Sequence, residues 1–162
     1  MKLYEPFQFL TTEECDEIMA YGKPRTKRPG IVIGEYNHIR NNRVVWYKDT
    51  KHWKKWISMF KKFDSRVECI MDPQISYYLP GEHYDWHTDR STNNQNYQRH
   101  FTLTCNLQTA PGSMFELENI NLPQLNKGEA VVFPSEDKHR ATTPTSGERI
   151  SLTIWSMVKN CH

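Results

Sequence analysis

A histidine and an aspartate stand two residues apart in the segment Glu82-His-Tyr-Asp-Trp-His-Thr-Asp89, directly after a turn predicted at Pro80-Gly81. Residues i and i+2 of a strand point to the same face, so His87 and Asp89 are expected to face one spot. The third ligand is expected to be His139. Two histidines and one carboxylate, with positions left open, form the ligand set that holds non-haem Fe(II) for oxygen chemistry. These residues therefore predict an iron oxygenase.

The same spacing occurs a second time, at His83 and Asp85. His83 lies only two residues after Gly81, where the backbone is still leaving the turn. The second pair lies deeper along the expected strand, where a rigid element can direct it, and we therefore prefer it. Alone, a His-x-Asp pair is a weak signal, and a solvated strand face is the alternative interpretation.

The C-terminal segment Gly147–Trp155 alternates in the manner of a half-buried strand. Ile150, Leu152 and Ile154 fall on one face, which is expected to pack against a neighbouring layer. The opposite face carries Arg149, Ser151, Thr153 and Trp155, a set suited to the wall of a polar cavity. An arginine in such a cavity needs a carboxylate, which its planar guanidinium can bind through two hydrogen bonds. A surface ion pair is the alternative for Arg149.

Together these segments resemble the iron(II)- and 2-oxoglutarate-dependent dioxygenases of the prolyl 4-hydroxylase-like branch. The resemblance rests on Tyr-x-Pro-Gly before His-x-Asp, a distal histidine, and an arginine ten residues later, at 149. It extends to the segments at 9–16, 39–46 and 128–134, and so covers nearly the whole chain.

The resemblance implies that His87, Asp89 and His139 bind Fe(II) and that Arg149 binds the distal carboxylate of 2-oxoglutarate. Other residues expected at this co-substrate are Tyr78, Thr153 and Asn106, the last standing where many relatives have a tyrosine. Residues expected to face the substrate are Trp155, Arg90 and Arg99, whereas Tyr84 and Trp86 are expected to pack on the face opposite the ligands. The implied reaction hydroxylates a C–H bond, releases succinate and CO2, and uses ascorbate as a reductant.

The substrate remains open at this point. A prolyl or other amino-acid side chain in a peptide or protein, or a free amino acid, would suit the resemblance. A nucleic-acid oxidative dealkylase of the same superfamily is an alternative, although Trp155 stands where that family has a second arginine. A metal-dependent hydrolase or a jelly-roll binding module is a further alternative from a different class.

Composition narrows the class of protein. The 162 residues fit a single domain spanning 1–162, and 37% hydrophobic with 12% aromatic residues suits a β-rich fold. A net charge of +2 is too small to indicate nucleic-acid binding. No apolar run approaches the ~20 residues of a membrane span.

The four cysteines show no metal-binding spacing and indicate free thiols, so a cytoplasmic location is expected. The oligomeric state is left open.

Helical signals precede strand signals along the chain. Thr11-x-x-Glu14 predicts a capping box for a helix that ends near Gly22, and Asp49 or Thr50 is expected to cap a second helix. Strands are predicted near 67–79, 83–89, 100–108, 113–117, 129–133 and 148–158. This order predicts an α+β, mostly β fold with the N-terminal helices packed on one sheet. The resemblance adds that the sheets form a double-stranded β-helix, or jelly roll. The loops at 22–30 and 90–99 are candidate lids.

Overall fold

The computed structural model describes residues 1–30, 39–90 and 95–160. Its helices are α1 (Thr12–Gly22) and α2 (Trp53–Lys61). Its strands are β1 (Phe7–Gln8), β2 (Arg28–Pro29), β3 (Arg43–Trp46), β4 (Cys69–Ile70), β5 (Gln74–Tyr78), β6 (Tyr84–His87), β7 (Tyr97–Gln108), β8 (Phe115–Leu117), β9 (Glu129–Pro134), β10 (His139–Ala141) and β11 (Arg149–Lys159). Strands dominate after α2, and the prediction of an α+β, mostly β fold is confirmed.

The strands form two antiparallel sheets. The large sheet has the order β1-β9-β7-β11-β5-β3-β2, with β4 also paired to β11, and the small sheet has the order β6-β10-β8. Strand β11 lies between β7 and β5 in the middle of the large sheet. A cavity of about 770 Å³ is lined by residues of both sheets.

The hydrophobic core lies on the opposite face of the large sheet. Ile150, Leu152 and Ile154 of β11 belong to one buried cluster with Ile18 of α1 and with residues of α2. The members contributed by α2 are Trp56, Met59 and Phe60. Both helices therefore pack on one sheet, as predicted, and they leave the other face of β11 to the cavity.

Helix α1 begins as predicted. Thr11 Oγ1 accepts a hydrogen bond from the backbone N–H of Glu14, and the Glu14 side chain accepts one from the backbone N–H of Thr11. This capping box supplies acceptors to two N–H groups that the helix itself cannot pair.

Helix α2 begins later than predicted, after His52, which provides no side-chain cap. The Asp49 carboxylate instead accepts the N–H of Lys51, and the Thr50 carbonyl accepts the N–H of Trp53. Both expected caps therefore serve the turn that precedes the helix.

Several predicted strand limits were wrong. The segment 67–79 is divided into β4 and β5 around Pro73, and the segment 83–89 ends as a strand at His87. Residues 97–99, predicted as loop, belong to β7, and residues 28–29 form β2. Residues 91–94 of the predicted 90–99 loop lie outside the described residues.

Cys15, Cys69 and Cys105 are free, and Cys161 lies outside the described residues. Within the part of the chain that the structure describes, no helix has the length and apolarity needed to cross a membrane.

Candidate metal centre

Strand pairing brings the two candidate histidine ligands together. His87, the last residue of β6, pairs directly with His139, the first residue of β10. Asp89 lies two residues beyond the end of β6, where its backbone N–H donates to the Ser135 carbonyl at 2.8 Å. The carboxylate is thus aimed by a backbone bond to the segment before β10, and not by continued strand alternation as predicted.

The three side chains converge on one point. His87 Nε2 lies 3.4 Å from Asp89 Oδ1, and His139 Nε2 lies 3.2 Å from Asp89 Oδ2. One ligand atom from each residue falls within 4.8 Å of the others. Two imidazole nitrogens and a carboxylate oxygen suit Fe(II), so the residues predicted as metal ligands are placed where they could share one ion.

Both imidazole rings are oriented through Nδ1. His87 Nδ1 lies 2.6 Å from the Asp85 carbonyl oxygen, and His139 Nδ1 lies 2.9 Å from the Asp137 carbonyl oxygen. A carbonyl oxygen only accepts, so Nδ1 carries the proton in each ring. Nε2 then presents its lone pair toward Asp89, as a metal ligand must.

Asp89 is held by two further donors. Thr102 Oγ1 donates to Asp89 Oδ2 at 3.1 Å, and the Trp155 indole Nε1–H donates to the same oxygen at 3.0 Å. Trp155, predicted to face the substrate, therefore lines the cavity and also orients a candidate ligand. The role of Thr102 was not predicted, although its place on the cavity face of a strand was a usable signal.

The buried charges favour metal binding. Burial is the main reason that the pKa of His87 is lowered from its usual value. Burial acts in the same direction on His139, but the adjacent Asp89 carboxylate raises the pKa of that ring overall. Burial would raise the pKa of Asp89, but the two imidazoles outweigh it and hold this pKa well below its usual value. Asp89 is therefore ionised, and His87 is neutral at physiological pH.

Arg149 forms part of the cavity wall and is 1% exposed. Its Nε donates to Asn106 Oδ1 at 3.0 Å. Its Nη2 is buried and has no hydrogen-bond partner among the described residues. A buried guanidinium with an unpaired N–H is costly, and a carboxylate bound in the cavity would relieve that cost.

Asn106 lies behind Arg149, outside the cavity lining. Its Nδ2 donates to the Leu125 carbonyl at 2.6 Å, which leaves Oδ1 to accept from Arg149. The structure therefore places Asn106 against Arg149, and its predicted contact with the co-substrate stays a prediction.

Tyr78 and Thr153 both line the cavity, and their predicted contact with the co-substrate stays a prediction. The Arg149 guanidinium lies 5.4 Å from the centre of the Tyr78 ring. Burial raises the pKa of Tyr78, so its hydroxyl keeps its proton and can donate a hydrogen bond. The residues present therefore fit both groups: a histidine–carboxylate set for Fe(II), and for 2-oxoglutarate a buried cation in a cavity that also contains Tyr78 and Thr153.

The expectation that Tyr84 and Trp86 pack away from the ligands was wrong. The Tyr84 ring stacks on the His87 ring with centroids 3.3 Å apart, and Trp86 is 38% exposed at the cavity. The pairing of β10 with β6 shifts register between His139 and Ala141, so strict alternation of faces fails there.

The two arginines predicted to face the substrate have different surroundings. Arg99 lines the cavity with its guanidinium 4.0 Å from the centre of the Trp155 ring, and its Nη1 lies 3.3 Å from the Asp89 carbonyl oxygen. Arg90 is exposed, pairs with Glu136 at 3.0 Å, and is not among the lining residues.

Comparison with known sequences finds a similar hydroxylase. A curated relative, a PKHD-type hydroxylase of Teredinibacter turnerae, is 30% identical over 98 residues, which cover 54% of this chain and 43% of the relative. The matched region thus spans less than half the length of that relative.

Solved structures show the same fold. A viral collagen prolyl hydroxylase from Paramecium Bursaria Chlorella virus-1, in complex with 2OG, has a TM-score of 0.76 at 22% identity and covers 97% of each chain. A prolyl-4-hydroxylase of Pseudomonas putida has a TM-score of 0.70 at 18% identity, covering 96% of this chain and 92% of that one. The predicted double-stranded β-helix is confirmed by this likeness.

Residues 73–157 match the family model described as the 2OG-Fe(II) oxygenase superfamily. The matched segment contains all three candidate metal ligands and Arg149, and it makes up more than half of the chain. The chain therefore belongs to the 2OG-Fe(II) oxygenase superfamily.

Proposed function

We propose that this protein is a 2-oxoglutarate- and Fe(II)-dependent dioxygenase that hydroxylates a C–H bond of a prolyl or other amino-acid residue in a peptide or protein. The observation that carries the proposal is the buried, unpartnered Nη2 of Arg149 in the cavity that also holds the three candidate ligands. A metal site alone would not need a buried cation beside it. A metal site that binds a dicarboxylate does.

Each residue has a role in this proposal. His87, Asp89 and His139 hold the ferrous ion, and Arg149 binds the distal carboxylate of 2-oxoglutarate. Tyr78 and Thr153 offer hydroxyls along the cavity wall, and Asn106 keeps the Arg149 guanidinium turned inward. When bound, iron and 2-oxoglutarate supply the oxidising power, while the protein supplies ligands, orientation and a sheltered cavity.

The reaction balances with one substrate, one 2-oxoglutarate and one O2. The substrate C–H becomes C–OH with one oxygen atom, and 2-oxoglutarate loses CO2 and becomes succinate with the other. Ascorbate would keep the iron ferrous between turnovers.

A curated relative supports hydroxylation, and a solved structure supports an amino-acid residue as the target. The curated relative is named a PKHD-type hydroxylase. A prolyl hydroxylase from Trichoplax adhaerens, solved with a hypoxia inducible factor peptide fragment, has a TM-score of 0.66 at 16% identity, covering 94% of this chain and 82% of that one. Both names belong to those proteins, and they guide the choice of test substrates.

The test is product analysis under ¹⁸O2. The protein with Fe(II), 2-oxoglutarate and ascorbate is incubated with a pool of proline-containing and mixed peptides. We expect peptides heavier by one ¹⁸O atom and an equal amount of succinate carrying one ¹⁸O atom. An Asp89→Asn variant is the control and should yield neither. Products that form without O2 or without 2-oxoglutarate would contradict the proposal and favour a metal-dependent hydrolase.

A further inference from the structure

Arginine dominates the charged residues around the cavity. Among the described residues, Asp89 is the only acidic side chain in the lining, whereas five arginines contribute to it: Arg28, Arg40, Arg99, Arg140 and Arg149. A ferrous ion and Arg149 together are balanced by Asp89 and the two carboxylates of 2-oxoglutarate. Binding of Fe(II) and 2-oxoglutarate therefore supplies no negative charge to offset the other four guanidiniums.

Two of these arginines are bound within the protein. Arg140 forms an ion pair with Glu116 at 2.9 Å. Arg40 donates to the side-chain oxygens of Asn42 and Gln74, each at 2.8 Å. Among the described residues, Arg28 and Arg99 are the arginines of the lining whose guanidiniums have no side-chain oxygen as a partner.

Arg99 lies beside the candidate metal centre. It donates to the backbone carbonyl of Asp89 and, at 3.2 Å, to the Met71 sulfur, and its guanidinium stacks on the Trp155 ring. None of the described carboxylates lies within ion-pair distance of it. The Arg99 side chain is only partly exposed, so water is partly excluded from its charge. A cation in such a place gains most from an anion brought by a ligand.

Arg28 lies on the edge strand β2, where it is exposed at the cavity. In residues 1–30, 39–90 and 95–160 it has no ion pair and no side-chain hydrogen bond. It therefore offers a second, exposed cation to the cavity.

We propose that the substrate carries a carboxylate close to the reacting carbon, bound by Arg99, and that Arg28 attracts further acidic groups at the rim. This rests on the proposed function. The carboxylate can belong to an aspartate or glutamate side chain or to a free C-terminus, since both present the two oxygens that a guanidinium binds. An acidic peptide is favoured over a nucleic acid because a net charge of +2 gives little of the general phosphate attraction on which nucleic-acid binding depends.

The test is an affinity selection that needs no turnover. Immobilised protein is loaded with Fe(II) and 2-oxoglutarate without oxygen, and its visible band is recorded first. It is then exposed to randomised pentapeptides with amidated or free C-termini, and separately to randomised single-stranded oligonucleotides. The variants are Arg99→Gln, Arg99→Lys and Arg28→Gln. Arg25→Gln, which removes the same charge outside the cavity lining, is the matched control.

We expect wild-type protein and Arg25→Gln to enrich Asp and Glu over Asn and Gln, or free over amidated C-termini, by about tenfold, as one charge-assisted hydrogen bond allows. Arg99→Gln should lose this preference, Arg99→Lys should keep part of it, and Arg28→Gln should weaken it. Enrichment of Asp and Glu would identify a side-chain carboxylate, and enrichment of free over amidated peptides would identify a C-terminal carboxylate.

Bound peptides without acidic enrichment, or an enrichment unchanged in Arg99→Gln, would overturn the proposal. An equal loss of acidic and neutral peptides in that variant would assign Arg99 a structural role instead. Retention of oligonucleotides alone would point to a nucleic-acid substrate. A missing visible band in wild-type protein would mean that the proposed function itself had failed. Because the spectrum is recorded before any peptide is added, this failure is distinguished from the other outcomes.

Discussion

At the scale of the residue, Arg149 is the side chain that separates co-substrate binding from metal binding. Its guanidinium lies in the cavity wall with Nη2 unpartnered, while the candidate ligands lie on β6, on β10 and just after β6. We predict that Arg149→Ala weakens 2-oxoglutarate binding by roughly tenfold to a hundredfold, because a charge-assisted hydrogen bond is lost. Binding of Fe(II) or Mn²⁺ should change little.

Isothermal titration of metal-loaded protein with 2-oxoglutarate measures this difference. Arg149→Lys is the matched variant, which keeps the charge but lacks the planar fork, and should give an intermediate affinity. Equal affinity in wild-type protein and Arg149→Ala would show that the buried guanidinium does not bind the co-substrate.

A second prediction at this scale concerns the hydrogen bond from Trp155 to Asp89. The Trp155 indole N–H donates to Asp89 Oδ2, and Thr102 donates to the same oxygen. Trp155→Phe keeps an aromatic ring but removes the donor, so the carboxylate is held less firmly. We expect metal affinity to fall about tenfold, as is usual when a partner of a metal ligand is lost.

Competition with a coloured chelator would measure the metal affinity of Trp155→Phe. Phe101→Leu is a suitable control, because Phe101 is an apolar neighbour of Thr102 on β7 that faces the core. An unchanged affinity in Trp155→Phe would mean that the remaining bonds to Asp89 are sufficient.

At the scale of the element, β11 joins the core to the site. Its face with Leu152 is fully buried under the helices, and its opposite face carries Arg149 and Trp155. We predict that Leu152→Ala lowers the free energy of unfolding by about 2–5 kcal/mol through the cavity it leaves. Urea denaturation measures this loss. A loss below about 1 kcal/mol would contradict the packing described for this strand.

Long elements with regular periodicity could be predicted from the sequence. The alternation along β11 gave both its core face and its cavity face, and the capping box located α1. Strand β10 has only three residues, so no period could reveal it, although it carries His139. Strands β1 and β2 have two residues each and exist because neighbouring strands pair with them.

Site residues, like strands, could be predicted only where the local sequence contains a recognisable pattern. The candidate ligands and Arg149 are recognisable by residue type and order along the chain. The contacts of Tyr84 and Trp86 depend on a register shift between β6 and β10. The place of Asn106 behind Arg149 depends on its bond to Leu125, which is distant along the chain. Neither the register shift nor this hydrogen bond can be recognised from the neighbouring sequence.

At the scale of the whole molecule, metal binding should couple to stability with a dependence on pH. In the metal-free protein the pKa of His139 is raised by Asp89. That ion pair contributes stability below the unfolded pKa of about 6.5, and the contribution is lost as pH rises through the folded pKa. A metal ion needs the neutral ring, so its stabilising effect should grow over the same range.

We therefore predict that the rise in melting temperature on adding Mn²⁺ is larger at pH 8 than at pH 6. Differential scanning fluorimetry with and without metal checks this. A His139→Ala variant should show a smaller rise at both pH values. A rise that shrinks with increasing pH would contradict the assignment of His139 as a ligand.

We propose above that one cavity binds ferrous iron and 2-oxoglutarate together. The most direct measurement is the visible spectrum of the protein loaded with Fe(II) without oxygen, before and after 2-oxoglutarate is added. We expect the weak metal-to-ligand band of chelated 2-oxoglutarate, absent in His87→Ala and weakened in Arg149→Ala. Wild-type protein that binds iron but shows no band would mean that 2-oxoglutarate does not chelate the iron in this cavity.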